Sequence, residues 1–388
     1  MNCIEISSCA ISVVHPGVAP CSPSHAGFSG NRLHHSATGA AGLESLSVQE
    51  ASSAVAIDTR CPLRQHTETV PSDSSLPRDI PDLVLANPTA GGGLAAEAIP
   101  RLRRFASDHN WNMELRSALS AVEFAEKARQ EAESGRRRIF ALGGDGTFQI
   151  LLNALALNQQ VTLGVLPAGG GNDLAAALGL PLDAVRAAEA VLSRGVCVPL
   201  DAARVQAADC TERWYMGGGG VGLDAEAARF ASESYSKMRG RTRYLLSAIR
   251  ALRKFQPLNV QVSFEGSGGG SFSCQALVLG VLNTPSYGAG LRLAPGASLE
   301  DGQLDLVVLG DLGLAEILKI LPALAASGEI HTPHIHRYRI TKVRIETDRP
   351  CMFHGDGEVI GPTPVEIGVV ARAMRVWRTD TVRSARRA

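Results

Sequence analysis

The chain has 388 residues, 45% apolar and 20% charged, with a formal net charge of zero. That is long enough for two domains with ordinary hydrophobic cores, in a composition typical of soluble globular proteins. The neutral balance removes any global electrostatic case for a nucleic-acid partner, and no apolar run is long enough to span a bilayer. Eight scattered cysteines contain no CxxC pair, which disfavours a zinc site or a disulfide framework and leaves reduced thiols in a cytosolic protein as the simpler reading. The first twenty residues lack a basic segment and their apolar run stops at His15-Pro16, which argues against a secretory signal.

Residues 1–79 are rich in Ser, Ala, Pro, His and Gly and show no sustained period of 2 or 3.6. They read as a disordered extension, or as translation from a start codon upstream of the true one. Patterning begins at Asp82. A short apolar strand, Leu83–Ala86, ends in Asn87-Pro88, followed by Gly91-Gly92-Gly93 and a helix through Phe105. A strand near Trp111–Leu115 and a helix over Ala121–Ser134 come next. Arg138–Leu142 is a third strand, ending in Gly143-Gly144-Asp145-Gly146-Thr147 ahead of a helix over Phe148–Leu157. A strand at Thr162–Leu166 runs into Gly169-Gly170-Gly171, and helices at Asp173–Leu178 and Leu182–Leu192 lead to a strand near Val196–Leu200. Alternating strands and helices predict a parallel sheet, and glycine clusters at strand C-termini mark where such sheets bind ligands.

After residue 204 the pattern changes. Helical segments at Asp224–Ala231 and Arg243–Lys254 precede strand-like runs at Asn259–Phe264, Phe272–Leu282, Leu304–Leu309, Arg337–Glu346, Cys351–His354, Val365–Val370 and Met374–Trp377. Only Leu314–Ala325 interrupts them with a clear helix. The expected architecture is an α/β N-terminal domain with a parallel sheet over residues 80–204, whose glycine-lined sheet edge is the candidate nucleotide-binding region, then a mostly antiparallel β-rich domain over 205–364. The final strands, 365–380, return to the first domain, and 381–388 form a basic tail. The active site then falls in the interdomain cleft.

Glycines between a strand and a helix let the backbone approach phosphate closely, while the helix start aims N–H groups at an anion. A carboxylate there repels phosphate unless it holds a cation, directly or through water, or helps shape the loop, so Asp145 points to Mg²⁺ or to loop architecture. The Gly169–Asp173 loop has the same placement one strand later, with Asn172 or Asp173 as an alternative helix cap. Each loop alone is also readable as an ordinary tight turn; together with Asn87 they line one sheet edge. Neither a P-loop nor a dinucleotide fingerprint occurs. His354-Gly355-Asp356-Gly357-Glu358 is a turn between strands whose glycines free a carboxylate to face a cleft, as phosphoryl transfer to a hydroxyl requires; a plain Asp-Gly hairpin turn reads the same way. His331, His334 and His336 are irregularly spaced around Pro333 and read as a loop rather than a metal cluster. The stretch Lys237–Lys254 carries seven basic and no acidic residues, with Leu245, Leu246, Ile249 and Leu252 on one helical face. It is either a membrane-surface helix or a core helix with solvated cations.

In order, Asn87-Pro88-x-x-Gly91, Gly143–Thr147, Gly169-x-Gly171-Asn172-Asp173-Leu174-Ala175, Gly220-x-Gly222-x-Asp224, Asn283-x-x-x-Tyr287-Gly288-x-Gly290, Glu300-Asp301-Gly302 and Asp356-Gly357-Glu358 resemble the diacylglycerol-kinase catalytic family, which includes bacterial lipid kinases and sphingosine and ceramide kinases. The resemblance covers residues 82–378. It implies an ATP- and Mg²⁺-dependent kinase acting on a membrane-lipid hydroxyl, most directly that of diacylglycerol, in a cytoplasmic protein that visits the inner face of the membrane. It implies a nucleotide site built from Asn87, Gly143, Gly144, Asp145, Gly146, Thr147, Gly169, Gly170, Gly171, Asn172 and Asp173, with Ser117 near a nucleotide-contacting position. Asp145 also belongs to the implied Mg²⁺ network. Relatives commonly carry Thr where Gly170 stands, so that hydroxyl contact is missing. Asp301, with main-chain carbonyls near Ser298 and Gln303, matches a structural metal site, and Asp356 matches the catalytic base, with Glu358 beside it. An NAD-kinase-like kinase and a catalytically silent nucleotide-binding regulator are the alternatives; the C-terminal motifs and the retained acidic residues disfavour both.

Because residues 1–79 lack core-forming periodicity, a chain beginning at Pro77 is expected to fold and keep the full-length protein's activity. A large fall in melting temperature or specific activity on truncation would show that the extension belongs to the fold.

Overall fold

The computed structural model describes residues 80–223 and 256–379, apart from 289, 311, 329 and 331. The predicted extension, the basic stretch Lys237–Lys254, Asp224, His331 and the basic tail lie outside the described residues.

Three strands that neighbour one another in the sheet are mainly apolar and buried throughout or nearly so: β1 (Asp82–Ala86), β3 (Arg138–Gly143) and β4 (Thr162–Pro167). Runs without alternation belong to strands covered on both faces, which parallel sheets are. They pair in parallel in the order β4–β3–β1, with β2 (Met113–Ser117) at the edge. The helices pack in two groups. α1 (Leu94–Asp108) lies against α5 (Ala184–Arg194), and α2 (Ala121–Glu133) lies against α3 (Asp145–Leu155). Each buries one stripe; in α1 it is Ala95, Ala98, Leu102 and Ala106. Right-handed crossovers put α1 on one face of the sheet and α2 and α3 on the other, because the chain winds from β1 outward to β2 and then back across to β3. The winding therefore reverses between β1 and β3, and a crevice opens at the C-terminal ends of those two strands.

Local sequence explains the helix ends. Ser120 accepts the Glu123 N–H at 3.1 Å to start α2, and Asp183 accepts the N–H groups of Val185 and Arg186, both at 3.1 Å, to start α5. Edge strand β2 is tied down by an ion-pair network. Arg136 and Glu131, both buried, join at 2.7 Å and reach Glu114 and Arg116 on β2.

The second half is antiparallel, as the sequence pattern implies. β8 (Leu258–Gly266) alternates buried and exposed residues and pairs with β9 (Gly270–Ala276). β5 (Gly195–Ala207) and β6 (Glu212–Tyr215) form a hairpin. β7 (Gly218–Gly222), β10 (Val278–Leu282), β11 (Leu304–Leu309) and β12 (Ile335–Thr347) follow side by side. One helix, α6 (Leu314–Ala326), lies between β11 and β12 in sequence. β13 (Met352–Gly355) and β14 (Glu358–Pro362) form the hairpin whose turn carries Asp356. A short α4 (Asp173–Ala177) completes the first half.

β15 (Val365–Thr379) joins the halves. Its start pairs with β12, its end pairs in parallel with β4, and β5 runs antiparallel along most of its length. All the described strands thus belong to one fifteen-stranded sheet. The sequence suggests two strands here, but there is one, interrupted by a register shift between Val370 and Met374 with Arg372 at φ 55°. That is a bulge, and its backbone is held: buried Asp201 accepts the Arg372 N–H at 2.8 Å and the Gly302 N–H at 2.7 Å. Conversely, the single run expected over Phe272–Leu282 is two strands, since β9 pairs with β8 while β10 pairs with β7 and β11. α3 begins at Asp145, three residues before the expected start, and His336 lies in β12 rather than in a loop.

In the parallel half Gly164 lies under Phe140: a Cβ there would meet the ring at 2.1 Å. Phe140 is itself buried and in edge contact with Trp111. Gly164→Ala is expected to destabilise the protein by about 1–3 kcal/mol, the usual cost of overpacking a core. Thermal unfolding would read this as a clear fall in melting temperature, and an unchanged value would show that Phe140 moves freely.

Candidate active site

Three loops at the C-terminal ends of β1, β3 and β4 touch backbone to backbone. A Cβ on Gly169 would stand 2.5 Å from the Gly144 Cα, and one on Gly91 would stand 2.3 Å from the Ala168 carbonyl oxygen. Glycine is the residue that permits this approach. Gly144 is the extended N-cap of α3, and its carbonyl accepts the N–H groups of Thr147 at 3.0 Å and Phe148 at 3.1 Å. Asn87 donates to Thr147 Oγ1 at 3.4 Å and accepts from the Thr89 hydroxyl at 2.8 Å, which ties the β1 loop to the helix start. Asn172, at φ 59°, closes the second loop on itself: Oδ1 accepts the Gly169 N–H at 2.9 Å and Nδ2 donates to the Gly169 carbonyl at 3.0 Å.

Asp145 locks the two loops together. Its Oδ2 accepts the Asp173 N–H at 3.2 Å and its Oδ1 the Leu174 N–H at 3.1 Å. Burial pushes its carboxyl above the ordinary value, against the pull of those N–H groups. The loop-shaping role open to this residue in sequence is therefore occupied in the structure. Gly143, Gly146 and Thr147 sit in the same turn; Gly170 and Gly171 lie half-buried across from it. Ser117 is exposed at the end of β2, opposite Ala86, with its carbonyl accepting from Lys127 at 2.7 Å.

The β-rich half meets this turn through α3. Gln149 donates to the Gly355 carbonyl at 2.8 Å, and Asn153, one turn later, both donates to and accepts from the Trp214 backbone at 2.8 and 2.9 Å. Glu358 reaches the helix start itself: a Cβ on Gly146 would lie 2.8 Å from its Oε1. Asp356 follows Gly355 at φ 48°. Its Oδ2 accepts the Met216 N–H at 2.9 Å, and its Oδ1 accepts those of Gly217 and Gly218 at 2.9 and 3.1 Å. Burial raises its pKa to about 7; the three N–H groups oppose the rise and the charge of Asp145 adds to it. The carboxylate of the β-rich half and the glycine turn of the α/β half thus share one electrostatic environment. Burial also raises Glu358.

Ser298, Asp301 and Gln303 lie before β11, away from this cluster of contacts. Asp301 Oδ1 accepts the Gln303 N–H at 3.1 Å and its Oδ2 is bonded to the Arg339 guanidinium. Ser298 Oγ accepts the Glu300 N–H at 3.2 Å. The Asp301 carboxylate is thus paired with the partly exposed Arg339 and with its own loop. Among the described residues no group of three or more His, Cys, Asp or Glu is arranged to hold one.

Sequence reasoning missed the Met216–Gly218 cradle and the hooks made by Gln149 and Asn153. The available signal was the unbroken run Gly217–Gly220, of which a Cβ on Gly217 would fall 2.8 Å from Asp356 Oδ1.

Residues 81–205 match the diacylglycerol kinase catalytic domain, and residues 219–378 match the YegS C-terminal NAD kinase beta sandwich-like domain. The chain thus carries, in this order, the two domain types of the diacylglycerol-kinase and YegS-like lipid kinase family. Among relatives of this family, a diacylglycerol kinase of Bacillus subtilis is 28% identical over 295 residues, covering 76% of this chain and 94% of the relative. A Stenotrophomonas maltophilia protein named "Probable lipid kinase YegS-like" is 28% identical over 251 residues, covering 61% and 77%. In fold, the chain is similar to the crystal structure of a diacylglycerol kinase from Bacillus anthracis, with a TM-score of 0.60 at 19% identity, covering 78% of this chain and 98% of that one.

Since the two glycine loops are in contact, Gly169→Ala must push them apart or displace the Asn172 side chain, which a Cβ would approach to 2.7 Å. Nucleotide affinity is expected to fall at least tenfold while the protein stays folded. Calorimetric titration with ATP checks this, and unchanged affinity would remove the loops from the nucleotide site.

Proposed function

We propose that this kinase transfers the γ-phosphoryl group of ATP to the hydroxyl of a membrane lipid, with diacylglycerol as acceptor and phosphatidic acid as product. The observation that carries the reading is the docking of the Asp356 turn on α3, through Gln149 and Glu358, at the glycine-built turn. A phosphate chain lying over Gly143–Thr147 and Gly169–Asp173 receives backbone N–H groups and the positive end of α3. Asp356, presented from the opposite side, orients the lipid hydroxyl and takes its proton. As the new O–P bond forms, the bond from the γ-phosphorus to the β–γ bridging oxygen breaks and ADP leaves. A carboxylate pushed up to about 7 suits this work, being ionised near neutral pH yet basic enough to accept a proton.

Asp145, at the glycine turn between the two loops, is the residue that would hold a hydrated Mg²⁺ on the nucleotide, through metal-bound water. When bound, the ion would neutralise charge developing on the phosphates. No helix among the described residues is long and apolar enough to cross a membrane; the lipid would be reached by peripheral contact at the inner face.

Asp356→Asn nearly preserves shape and is expected to cut turnover by ~10²–10⁴ with little change in ATP affinity. Wild-type turnover should rise with pH through a limb near 7, as the base ionises, and the mutant should lack that limb. The stability contribution runs the other way. Folding raises this carboxyl from 3.8, so its favourable contribution is whole below that value and lost as pH rises through about 7. Labelled ATP with a panel of lipids in mixed micelles, followed across pH, checks the rate, and near-normal turnover by the mutant on its true lipid would sink the role.

A further inference from the structure

Two of the three N–H groups that hold Asp356 belong to peptide planes whose other ends are anchored from behind. The first plane is Met216 C=O with Gly217 N–H. Its N–H points at Asp356 Oδ1 at 2.9 Å, while its oxygen accepts from Asn283 Nδ2 at 3.0 Å. The second is Gly217 C=O with Gly218 N–H. Its N–H also reaches Asp356 Oδ1, at 3.1 Å, and its oxygen takes the Asn283 N–H at 2.9 Å and the Thr284 N–H at 3.1 Å, with the Thr284 hydroxyl also at 3.1 Å, its one proton shared with the Ser286 carbonyl at the same distance. Gly218 in turn accepts the Asp356 N–H at 2.9 Å.

Asn283 and Thr284 are both fully buried, directly after β10, on the far side of the cradle from the carboxylate. The Asn283 amide also donates to the Asp201 carbonyl at 3.0 Å, which fixes it to β5, the strand that runs along β15. Among the described residues its Oδ1 finds no hydrogen-bond partner. A buried acceptor left unpaired is unfavourable, so this amide is a poor choice for stability alone. What it supplies is direction for the backbone in front of it. Donors on a peptide oxygen polarise the same peptide's N–H and strengthen the bond that N–H makes.

We propose that Asn283 and Thr284 are positioning residues for phosphoryl transfer, acting through the Met216–Gly218 backbone to hold the Asp356 carboxylate in its working orientation. This rests on the reading of Asp356 as the base. Neither side chain touches Asp356, and neither belongs to the nucleotide loops, so their contribution falls on turnover rather than on ATP binding. Ionisable groups that act on Asp356 from the surrounding elements are Asp145 on α3 and Tyr215 on β6, and Glu358 and His354 stand two residues to either side of it on its own hairpin; the substitutions below leave all of them in place.

The test compares Thr284→Val, which removes the hydroxyl at nearly constant shape, with Thr284→Ser, which keeps it, and adds Asn283→Leu. Turnover with labelled ATP and diacylglycerol micelles, the KM for ATP and circular dichroism are measured on the full chain. Thr284→Val is expected to lower kcat at least fivefold with the KM for ATP within twofold of wild type, and Thr284→Ser to restore kcat. Asn283→Leu is expected to cost more; if it fails to fold, the threonine pair decides. Placed in the Asp356→Asn background, Thr284→Val should lower the residual rate no further, because its effect passes through the base. A kcat within twofold of wild type in folded Thr284→Val overturns the proposal, as does a loss that serine does not restore or that is matched by a rise in KM. Asp356→Asn run alongside separates the two readings: if it keeps normal turnover, the base assignment has failed, and if it is inactive while Thr284→Val is normal, only the positioning role has.

Discussion

The docking of one helix on a strand turn is the contact on which the rest of the site depends. α3 starts in the glycine turn at the end of β3 and carries Gln149 and Asn153 one turn apart on the same face. These two amides bind backbone groups at Gly355 and Trp214, one on each side of the Asp356 cradle in sequence. The helix whose N-terminus can receive phosphate therefore also fixes where the acidic turn stands. Apolar packing alone would leave such a contact free to slide. Hydrogen bonds to backbone carbonyls and N–H groups have one geometry, and they define the separation between the two halves of the site.

The site is built chiefly from main chain. Three glycine loops close on one another, Asp145 and Asn172 spend their side-chain bonds holding those loops, and Asp356 rests on three N–H groups. Backbone donors cannot rotate away as side chains do, so the arrangement is preorganised before any ligand arrives. The cost appears in the carboxylates. Asp145 and Asp356 are both pushed upward by burial, and each disfavours the charge of the other.

β15 explains why the two halves act as one body around this site. It runs from the β12 edge to the β4 edge, so the antiparallel and parallel parts share a strand rather than a linker. The bulge at Arg372 re-aims the strand as it crosses, and Asp201 fastens that bulge to the loop before β11. Asp301 in the same loop, where the family resemblance implied a metal, pairs with the partly exposed Arg339.

Much of this was legible in the chain itself. Unbroken apolar runs such as Leu83–Ala86 and Thr162–Leu166 announce strands buried on both faces, and the glycine clusters after them announce close approach of backbone to backbone or to phosphate. Both are local properties, set by side-chain burial and by the absence of a Cβ, and so they can be read one segment at a time. The ordered motifs around Gly143–Thr147, Gly169–Asp173 and Asp356–Glu358 likewise carried the family. What only the tertiary structure decided are the contacts between distant segments: that Gln149 meets Gly355, that the Met216–Gly218 backbone holds Asp356, that Asn283 and Thr284 brace it from behind, and that β15 is one bulged strand rather than two. Backbone N–H and C=O groups are the same at every position, so sequence carries no mark of which ones turn toward a given carboxylate. Their direction is fixed only when the sheet has closed and set each strand in register.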